Sequence, residues 1–303
     1  MSASLLFGDP PPDLVMRPVG AVQTSPLRPR ASLLDDMAPS SATSMAMVVP
    51  PGTIERRYAL AQALRVLAPG AALVAMGPKE KGGARVRAEL ERFGCVGAET
   101  SKKHWRLCYA IMPERLEGID EAIAQGAPRF DAGLGLWTQP GIFSWDRVDE
   151  GSALLLEHLG ALSGAGADMG CGLGVLTQAA LARHSAIVLI HAVDLDARAI
   201  QATRRNVDDH VRLQLHWHDV GTALPFAGLD FVLMNPPFHS GGQDDVALGR
   251  LFLRRAREAL RVGGALWMVA NRHLPYEAEL AALFAKVEPV AQAARFKVLR
   301  AVA

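Results

Sequence analysis

Hydrophobic residues recur along the chain with two different spacings. They are consecutive in residues 46–49 and 72–76, as in strands buried on both faces, and they recur every three or four positions in residues 54–67, as on one face of a helix. Residues 4–8 predict a further short strand, and residues 23–45, rich in Pro, Ser and Thr, predict a loop. The first part of the chain therefore predicts an α/β unit.

The same series of elements recurs about 190 residues later. Residues 231–234 are strand-like, residues 248–261 have helical spacing, and residues 265–269 are strand-like again. The sequence Ala-Leu-Arg-Val at residues 63–66 returns at residues 259–262, in both cases shortly before a glycine. We infer two related α/β domains of Rossmann-like type in tandem.

The length of 303 residues is sufficient for two domains that each bury a core. We predict the first domain as residues 1–127 and the second as residues 128–303. Near the start of the second domain, Ser152 or Asp149 is a suitable cap for a helix at residues 153–159.

Composition limits the class of protein. The formal net charge is +1, so binding of nucleic acid would depend on local basic patches. The three cysteines form no Cys-x-x-Cys pair, which favours neither a zinc site nor a disulfide framework. No hydrophobic run is long enough to cross a membrane, and residues 1–20 lack the pattern of a signal peptide. We expect a globular, cytoplasmic protein without a metal or a membrane contact.

A glycine-rich turn in the second domain leads directly into a run with helical spacing at residues 175–182. The turn reads Asp168-Met169-Gly170-Cys171-Gly172-Leu173-Gly174. Its glycines remove the Cβ atoms that would block a ligand from the backbone. The next strand, at residues 187–193, is followed by Asp194, whose carboxylate can accept hydrogen bonds from two ribose hydroxyls. These features predict a nucleotide-like ligand.

The Asp-x-Gly-x-Gly-x-Gly form resembles the first motif of class I methyltransferases, which bind S-adenosylmethionine. By that resemblance, Asp168 helps to hold the methionine end of the cofactor, and the glycines line its path. Asp219, after a predicted strand at residues 211–217, lies where the family often contacts adenine; a solvent-facing aspartate in a turn is the alternative. The predicted cofactor-binding residues are Asp168, Gly170, Gly172, Gly174, Asp194, Asp219 and Asn235.

A second motif follows the strand at residues 231–234. It reads Asn235-Pro236-Pro237-Phe238-His239, and its prolines predict an extended, rigid loop at the carboxyl end of the strand. The exocyclic amine of guanine or adenine is a poor nucleophile because its lone pair is delocalised into the ring. The side-chain carbonyl of Asn235 and the backbone carbonyl of Pro236 can accept both of its N–H bonds, and Phe238 can stack on the base. These three residues are the catalytic candidates, and His239 is a candidate loop contact.

The matching segment of the first domain reads Val49-Pro50-Pro51-Gly52, with Val in place of Asn and Gly in place of Phe. Nothing like the glycine-rich turn precedes it. The first domain is therefore predicted to be catalytically inactive. In the second domain the methyl group of a sulfonium is already activated, so we expect the site to act by positioning and electrostatics, without a metal.

Together, the motifs resemble the family of ribosomal RNA small subunit methyltransferase C, which are guanine-N2 methyltransferases, and its large-subunit relative. The matching segments are Gly141-Ile142-Phe143-Ser144, Asp149-x-Gly151-Ser152, the glycine-rich turn, Asn235 to His239, Ala270-Asn271-x-x-Leu274-Pro275-Tyr276 and Arg295-Phe296-Lys297-Val298. The resemblance implies a degenerate methyltransferase domain followed by a catalytic one, and S-adenosylmethionine as the cofactor. It also implies a monomer that acts on ribosomal RNA, within the small subunit or an assembly intermediate, and substrate contacts by Phe143, Phe238 and His239.

Other functions stay open at this point. The same chemistry serves large-subunit RNA, DNA adenine or protein glutamine. A non-catalytic RNA-binding assembly factor is an alternative from another class, and the glycine-rich turn alone is compatible with a nicotinamide oxidoreductase.

Overall fold

A computed structural model of the chain describes residues 3–236, 239–240, 243–244, 246–293 and 295–303, with residues 239–240 and 243–244 described by their backbone alone. The chain divides into two compact units. The first comprises Met1–Arg129 and Gln139–Gly141, and the second comprises Phe130–Thr138 and Ile142–Ala303.

The first unit contains a six-stranded sheet with the strand order β2-β1-β3-β4-β6-β5. Its strands are β1 (Ala3–Phe7), β2 (Val22–Thr24), β3 (Ala42–Val48), β4 (Leu67–Pro78), β5 (Gly97–Lys102) and β6 (Trp105–Ile111). Its helices are α1 (Thr53–Val66), α2 (Val86–Arg92) and α3 (Ile119–Gly126). The predicted strands and the predicted helix of this part are confirmed, with ends that differ by a few residues.

The prediction of a loop over residues 23–45 is wrong in part. This segment holds most of β2, a short 3-10 helix and the start of β3. The strand β2 pairs in parallel with β1, and the buried Thr24 hydroxyl donates to the Leu6 carbonyl over 2.9 Å. A strand of three residues with one buried polar side chain has no hydrophobic alternation to reveal it.

The second unit contains a seven-stranded sheet with the order β11-β10-β9-β12-β15-β17-β16, and two short ladders. Its strands are β7 (Arg129–Asp131), β8 (Leu136–Thr138), β9 (Gly164–Met169), β10 (Ile187–Asp194), β11 (Leu213–Trp217), β12 (Leu229–Met234), β13 (His239–Ser240), β14 (Gln243–Asp244), β15 (Leu260–Asn271), β16 (Lys286–Gln292) and β17 (Phe296–Val302). Its helices are α4 (Glu150–Glu157), α5 (Val175–Arg183), α6 (Ala197–Asn206), α7 (Val246–Ala259) and α8 (Glu277–Leu283).

The two large sheets have the same topology. In each sheet, the strands on one side are parallel to one another. On the other side, one strand lies between two neighbours and runs antiparallel to both; this strand is β6 in the first sheet and β17 in the second. The order of the first sheet equals that of the second without β11. In the second unit, α5 connects β9 to β10. In the first unit, the described residues of the corresponding connection, between β1 and β2, contain no helix. The fold class, two tandem Rossmann-like α/β domains, is confirmed, and the first copy lacks the helix that would follow a glycine-rich turn.

The strand β12 lies at the centre of the second unit. Its residues Val232 and Met234 belong to the core on one face of the sheet, and Phe231 and Leu233 belong to the core on the other. The consecutive hydrophobic residues of this strand are therefore explained by burial on both faces. Among the described residues, no helix combines the length and the apolar character that crossing a membrane requires.

A buried ion pair joins α1 to α2 in the first unit. Arg56 is 2% exposed and Glu89 is 5% exposed. The Arg56 Nε and Nη2 atoms donate to the two carboxylate oxygens of Glu89 over 2.6 and 2.9 Å, and Nη1 donates to the Pro51 carbonyl over 2.7 Å. The Arg57 Nε atom also lies 3.4 Å from Glu89 Oε1. Because the Arg56 guanidinium is almost completely buried, removal of Glu89 leaves its charge uncompensated.

We expect Glu89→Ala to lower the free energy of unfolding of the first unit by about 3–5 kcal/mol, because it strands the Arg56 guanidinium in the core. Glu91→Ala is the control, since Glu91 forms an exposed pair with Arg87 on the same helix and its loss costs about 0.3–0.5 kcal/mol. Urea unfolding followed by circular dichroism measures both. Equal effects of the two variants would contradict the assignment of Arg56 and Glu89 as a buried pair.

Candidate active site

Three neighbouring parallel strands carry the two sequence motifs of the second unit. The strand β9 lies between β10 and β12, and all three run in the same direction. The glycine-rich turn follows β9, Asp194 is the last residue of β10, and Asn235 follows β12. Because the carboxyl ends of parallel strands meet at one edge of a sheet, residues distant in sequence lie side by side there.

The glycines of the turn differ in what they face. Gly170, Gly172 and Gly174 have φ angles of 80°, 54° and 79°, a region that other residues rarely adopt. A Cβ atom on Gly172 would meet nothing within 4 Å, whereas one on Gly174 would lie 2.9 Å from the Thr203 Cγ2 atom on α6. Gly172 therefore borders open space, a Cβ atom on Gly170 would lie 3.6 Å from a ring carbon of Phe252, and Gly174 allows α5 to start close to α6.

Asp194 is held in place by the turn itself. Its Oδ2 atom accepts the Gly172 N–H over 2.9 Å, and its Oδ1 atom accepts the Asp196 N–H over 2.9 Å. Burial raises the pKa of Asp194 to about 6, against the opposing effect of these hydrogen bonds. The carboxylate is thus fixed at the edge of the sheet, beside the backbone of the turn.

Asp168 is the first residue of the motif, lies near the end of β9 and is fully buried. Its Oδ2 atom accepts the Thr177 N–H over 3.1 Å and the Thr177 hydroxyl over 2.7 Å, while Oδ1 has no hydrogen-bond partner among the described residues. Burial, and to a smaller degree the neighbouring carboxylate of Asp194, raises the pKa of Asp168 to about 7. A buried carboxylate oxygen without a donor favours binding of a cationic group nearby.

Asn235 borders a cavity of about 300 Å³ together with Gly170, Gly172 and Phe143. The side-chain nitrogen of Asn235 donates to Asp149 Oδ2 over 2.7 Å and to Ser152 Oγ over 3.0 Å. The structure therefore brings one residue of the catalytic motif, two glycines of the cofactor turn and one proposed substrate contact to the same space.

Other predicted site residues lie elsewhere or outside the description. Asp168, Gly174, Asp194 and Pro236 do not line the cavity. Neither does Asp219, which is exposed and whose Oδ1 atom accepts the Gly221 N–H over 2.7 Å. Pro236 follows Asn235 as the last described residue of that segment. Phe238 and the side chain of His239 lie outside the described residues.

Asp149 and Ser152 are contacts of Asn235 that sequence reasoning did not assign. The helix predicted at residues 153–159 begins at Glu150, and of the two predicted caps Asp149 is the correct one, because its carboxylate accepts the Ser152 N–H. In the sequence, the segment Asp149-x-Gly151-Ser152 indicates only a family resemblance and a helix cap. Its spacing from Asn235 gives no local signal of the contact.

Comparison with known proteins gives a consistent picture. Residues 133–300 match the family model of the methyltransferase small domain. A ribosomal RNA small subunit methyltransferase C from Pseudomonas entomophila is 33% identical over 270 residues, which cover 87% of this chain and 80% of that protein. The protein of the same name from Shewanella loihica is 30% identical over 268 residues, covering 86% and 78%.

Among solved structures, this chain is similar to a 16S rRNA N2 methyltransferase of T. thermophilus, in complex with AdoMet and guanosine. The TM-score is 0.80 with 23% sequence identity, and the match covers 100% of this chain and 88% of that one. This likeness supports the tandem fold of the whole chain.

The raised pKa values of Asp168 and Asp194 make stability depend on pH. In the acid range between the ordinary carboxyl pKa and about 7, the unfolded chain releases protons that folded Asp168 retains. Stability from this group is therefore complete at low pH and is lost as the pH rises through the folded pKa.

We expect Asp168→Asn to reduce the fall in melting temperature between about pH 5 and pH 8, because the variant has no charge to bury. Differential scanning calorimetry of the free protein measures this fall. Asp209→Asn serves as the control, since Asp209 pairs with Arg212 at the surface and its pKa is lowered. A fall in the Asp168 variant as large as in the parent protein would refute the buried-charge account.

Proposed function

The chain belongs to the ribosomal RNA small subunit methyltransferase C family, and we propose that it transfers a methyl group from S-adenosylmethionine to the exocyclic N2 amine of a guanine in 16S ribosomal RNA. The observation that carries this proposal is the position of Asn235, which borders one cavity with the glycine-rich turn. Methyl transfer requires the amine to lie within reach of the methyl donor. The motif proposed to hold the amine and the turn proposed to hold the donor both border this cavity.

The residues present fit the cofactor. A ligand ammonium would meet the charge of Asp168, whose Oδ1 atom lacks a donor among the described residues. The open side of Gly172 allows close approach to the backbone, and Asp194 has lone pairs left for ribose hydroxyls. When bound, S-adenosylmethionine supplies a methyl group activated by a sulfonium. Contacts by Gly170 and Gly174 belong to this proposal, whereas nothing in the geometry of Asp219 favours a contact with adenine.

The protein's part in the reaction is to hold the amine. Asn235 Oδ1 and the Pro236 carbonyl oxygen accept its two N–H bonds, which directs the nitrogen lone pair toward the methyl group. The same oxygens stabilise the positive charge that develops on the nitrogen. One N–H proton would pass to water once the new N–C bond has replaced the C–S bond of the methyl donor, which would be left as a neutral thioether. Phe143, which is 66% exposed and borders the cavity, provides an aromatic face for the base. Stacking by Phe238 and a contact by His239 are proposed from the sequence alone.

The wider assignment follows from the same family. We propose residues 1–127 as a degenerate methyltransferase domain and residues 128–303 as the catalytic domain. We also propose a cytoplasmic monomer that acts on the small subunit or on an assembly intermediate, on a guanine turned out of its stack.

We expect Asn235→Ala to reduce the rate of methyl transfer by about 10²-fold or more, comparable to the loss of one transition-state hydrogen bond in other enzymes. The affinity for S-adenosylmethionine, measured by calorimetry, should change little because the glycine-rich turn is intact. Gln214→Ala is the control, since Gln214 is an exposed amide on β11 that does not line the cavity. Unchanged turnover in Asn235→Ala would rule out the proposed role.

The acceptor is identified by two measurements. Labelled methyl transfer is compared among small ribosomal subunits, naked RNA, DNA and release-factor protein, and we expect label in 16S RNA. Mass spectrometry of ribosomal RNA nucleosides from cells with and without the protein should show N2-methylguanosine that depends on its presence. Label in DNA or protein would show that the enzyme methylates a different acceptor by the same chemistry. Cofactor binding without label in any acceptor would favour a non-catalytic role.

A further inference from the structure

The amide of Asn235 is held by the first turn of α4. Its nitrogen lies 2.7 Å from Asp149 Oδ2 and 3.0 Å from Ser152 Oγ, which occupies both of its N–H bonds. The distance to the carboxylate is at the short end for a hydrogen bond to an ionised acceptor. Asn235 therefore has a single favoured orientation at the end of β12.

The identity of these partners decides which end of the amide faces away from α4. A carboxylate can only accept a hydrogen bond, so the NH₂ end of Asn235 must face Asp149, and the carbonyl end must point elsewhere. No described residue donates a hydrogen bond to Asn235 Oδ1. The oxygen that the proposed reaction requires is thus the end left free by the contact with α4.

The position of Asp149 is fixed in turn by the helix. Its Oδ2 atom also accepts the Ser152 N–H over 2.6 Å, as the cap of α4, and Leu155 anchors the helix in the core with no exposed surface. A Cβ atom on Gly151 would lie 3.2 Å from Asp149 Oδ2 and 3.2 Å from a ring carbon of Phe296. Glycine at this position leaves room for the carboxylate.

We propose that Asp149 and Ser152 are positioning residues for methyl transfer, which orient the Asn235 amide and strengthen Oδ1 as an acceptor. The proposal rests on the function proposed above. The negative charge of Asp149 polarises the amide, since a hydrogen bond to the NH₂ end shifts electron density toward the carbonyl oxygen. Each residue of the segment then has its own task. Asp149 supplies the charge and caps the helix, Gly151 leaves space for the carboxylate, and Ser152 provides a second acceptor.

Single substitutions test the orientation. We expect Asp149→Ala to reduce kcat by about 10²-fold, because a misplaced acceptor costs about that much, and Ser152→Ala to reduce it about 5-fold, because it removes one neutral hydrogen bond. The Kd for S-adenosylmethionine should change less than kcat in both. Glu157→Ala removes an exposed carboxylate from the last turn of the same helix and should have the parent kcat.

An exchange of the two side chains separates positioning from helix capping. Asn235→Asp alone places two carboxylates against each other and should be nearly inactive. When Asp149→Asn is added, a donor again faces an acceptor, and we expect at least a 10-fold recovery of kcat over Asn235→Asp. Aspartate and asparagine are equally good caps, so a capping role alone gives no recovery.

The outcomes distinguish this proposal from the proposed function. If Asn235→Ala keeps full turnover, the proposed function fails. If Asn235→Ala is slow but Asp149→Ala has the parent kcat, or the exchanged pair is no faster than Asn235→Asp, the positioning proposal alone is overturned. Recovery in the exchanged pair supports both.

Discussion

The parallel pairing of β9 with β10 on one side and β12 on the other is the constraint on which the site depends. This pairing brings a turn, a carboxylate and an amide from three separate parts of the chain to one edge of the sheet. The strands are held there by hydrophobic cores on both faces. Specificity for the reaction therefore needs few residues at the edge, because the backbone ladder already determines their distances.

The site carries its own energetic cost. Asp168 and Asp194 are carboxylates that the free protein buries close to each other, and burial raises the pKa of both. The hydrogen bonds from Thr177 and from the backbone of the turn offset part of this cost. In the proposed function, a ligand with a positive charge and two hydroxyls would compensate for more of it, and the features that destabilise the free protein would then favour the bound state.

Much of the fold and of the candidate site was predictable from sequence, because the strongest signals were local. The consecutive hydrophobic residues of β12 and the glycine-rich turn each reflect a requirement met within a few positions. The contact of Asn235 with Asp149 was not predictable, since it joins residues 86 positions apart and Asp149 reads as an ordinary helix cap. The strand β2 was missed because it has too few residues to show alternation. Asp219 shows the opposite error. Its position in the sequence suggested a contact with adenine, but its exposed position in a turn does not support one.

The two sheets show which parts of such a domain depend on chemistry and which on folding alone. The first copy retains the strand order and a core, and its helices α1 and α2 are joined by Arg56 and Glu89. It has Val49 where the second has Asn235, and it has no helix between its first two strands among the described residues. Hydrophobic residues in the buried strands are sufficient to maintain a sheet, and many side chains meet this requirement equally well. The glycine-rich turn and the Asn235 amide, which has one favoured orientation, have no such freedom, and the described residues of the first unit contain no counterpart of either.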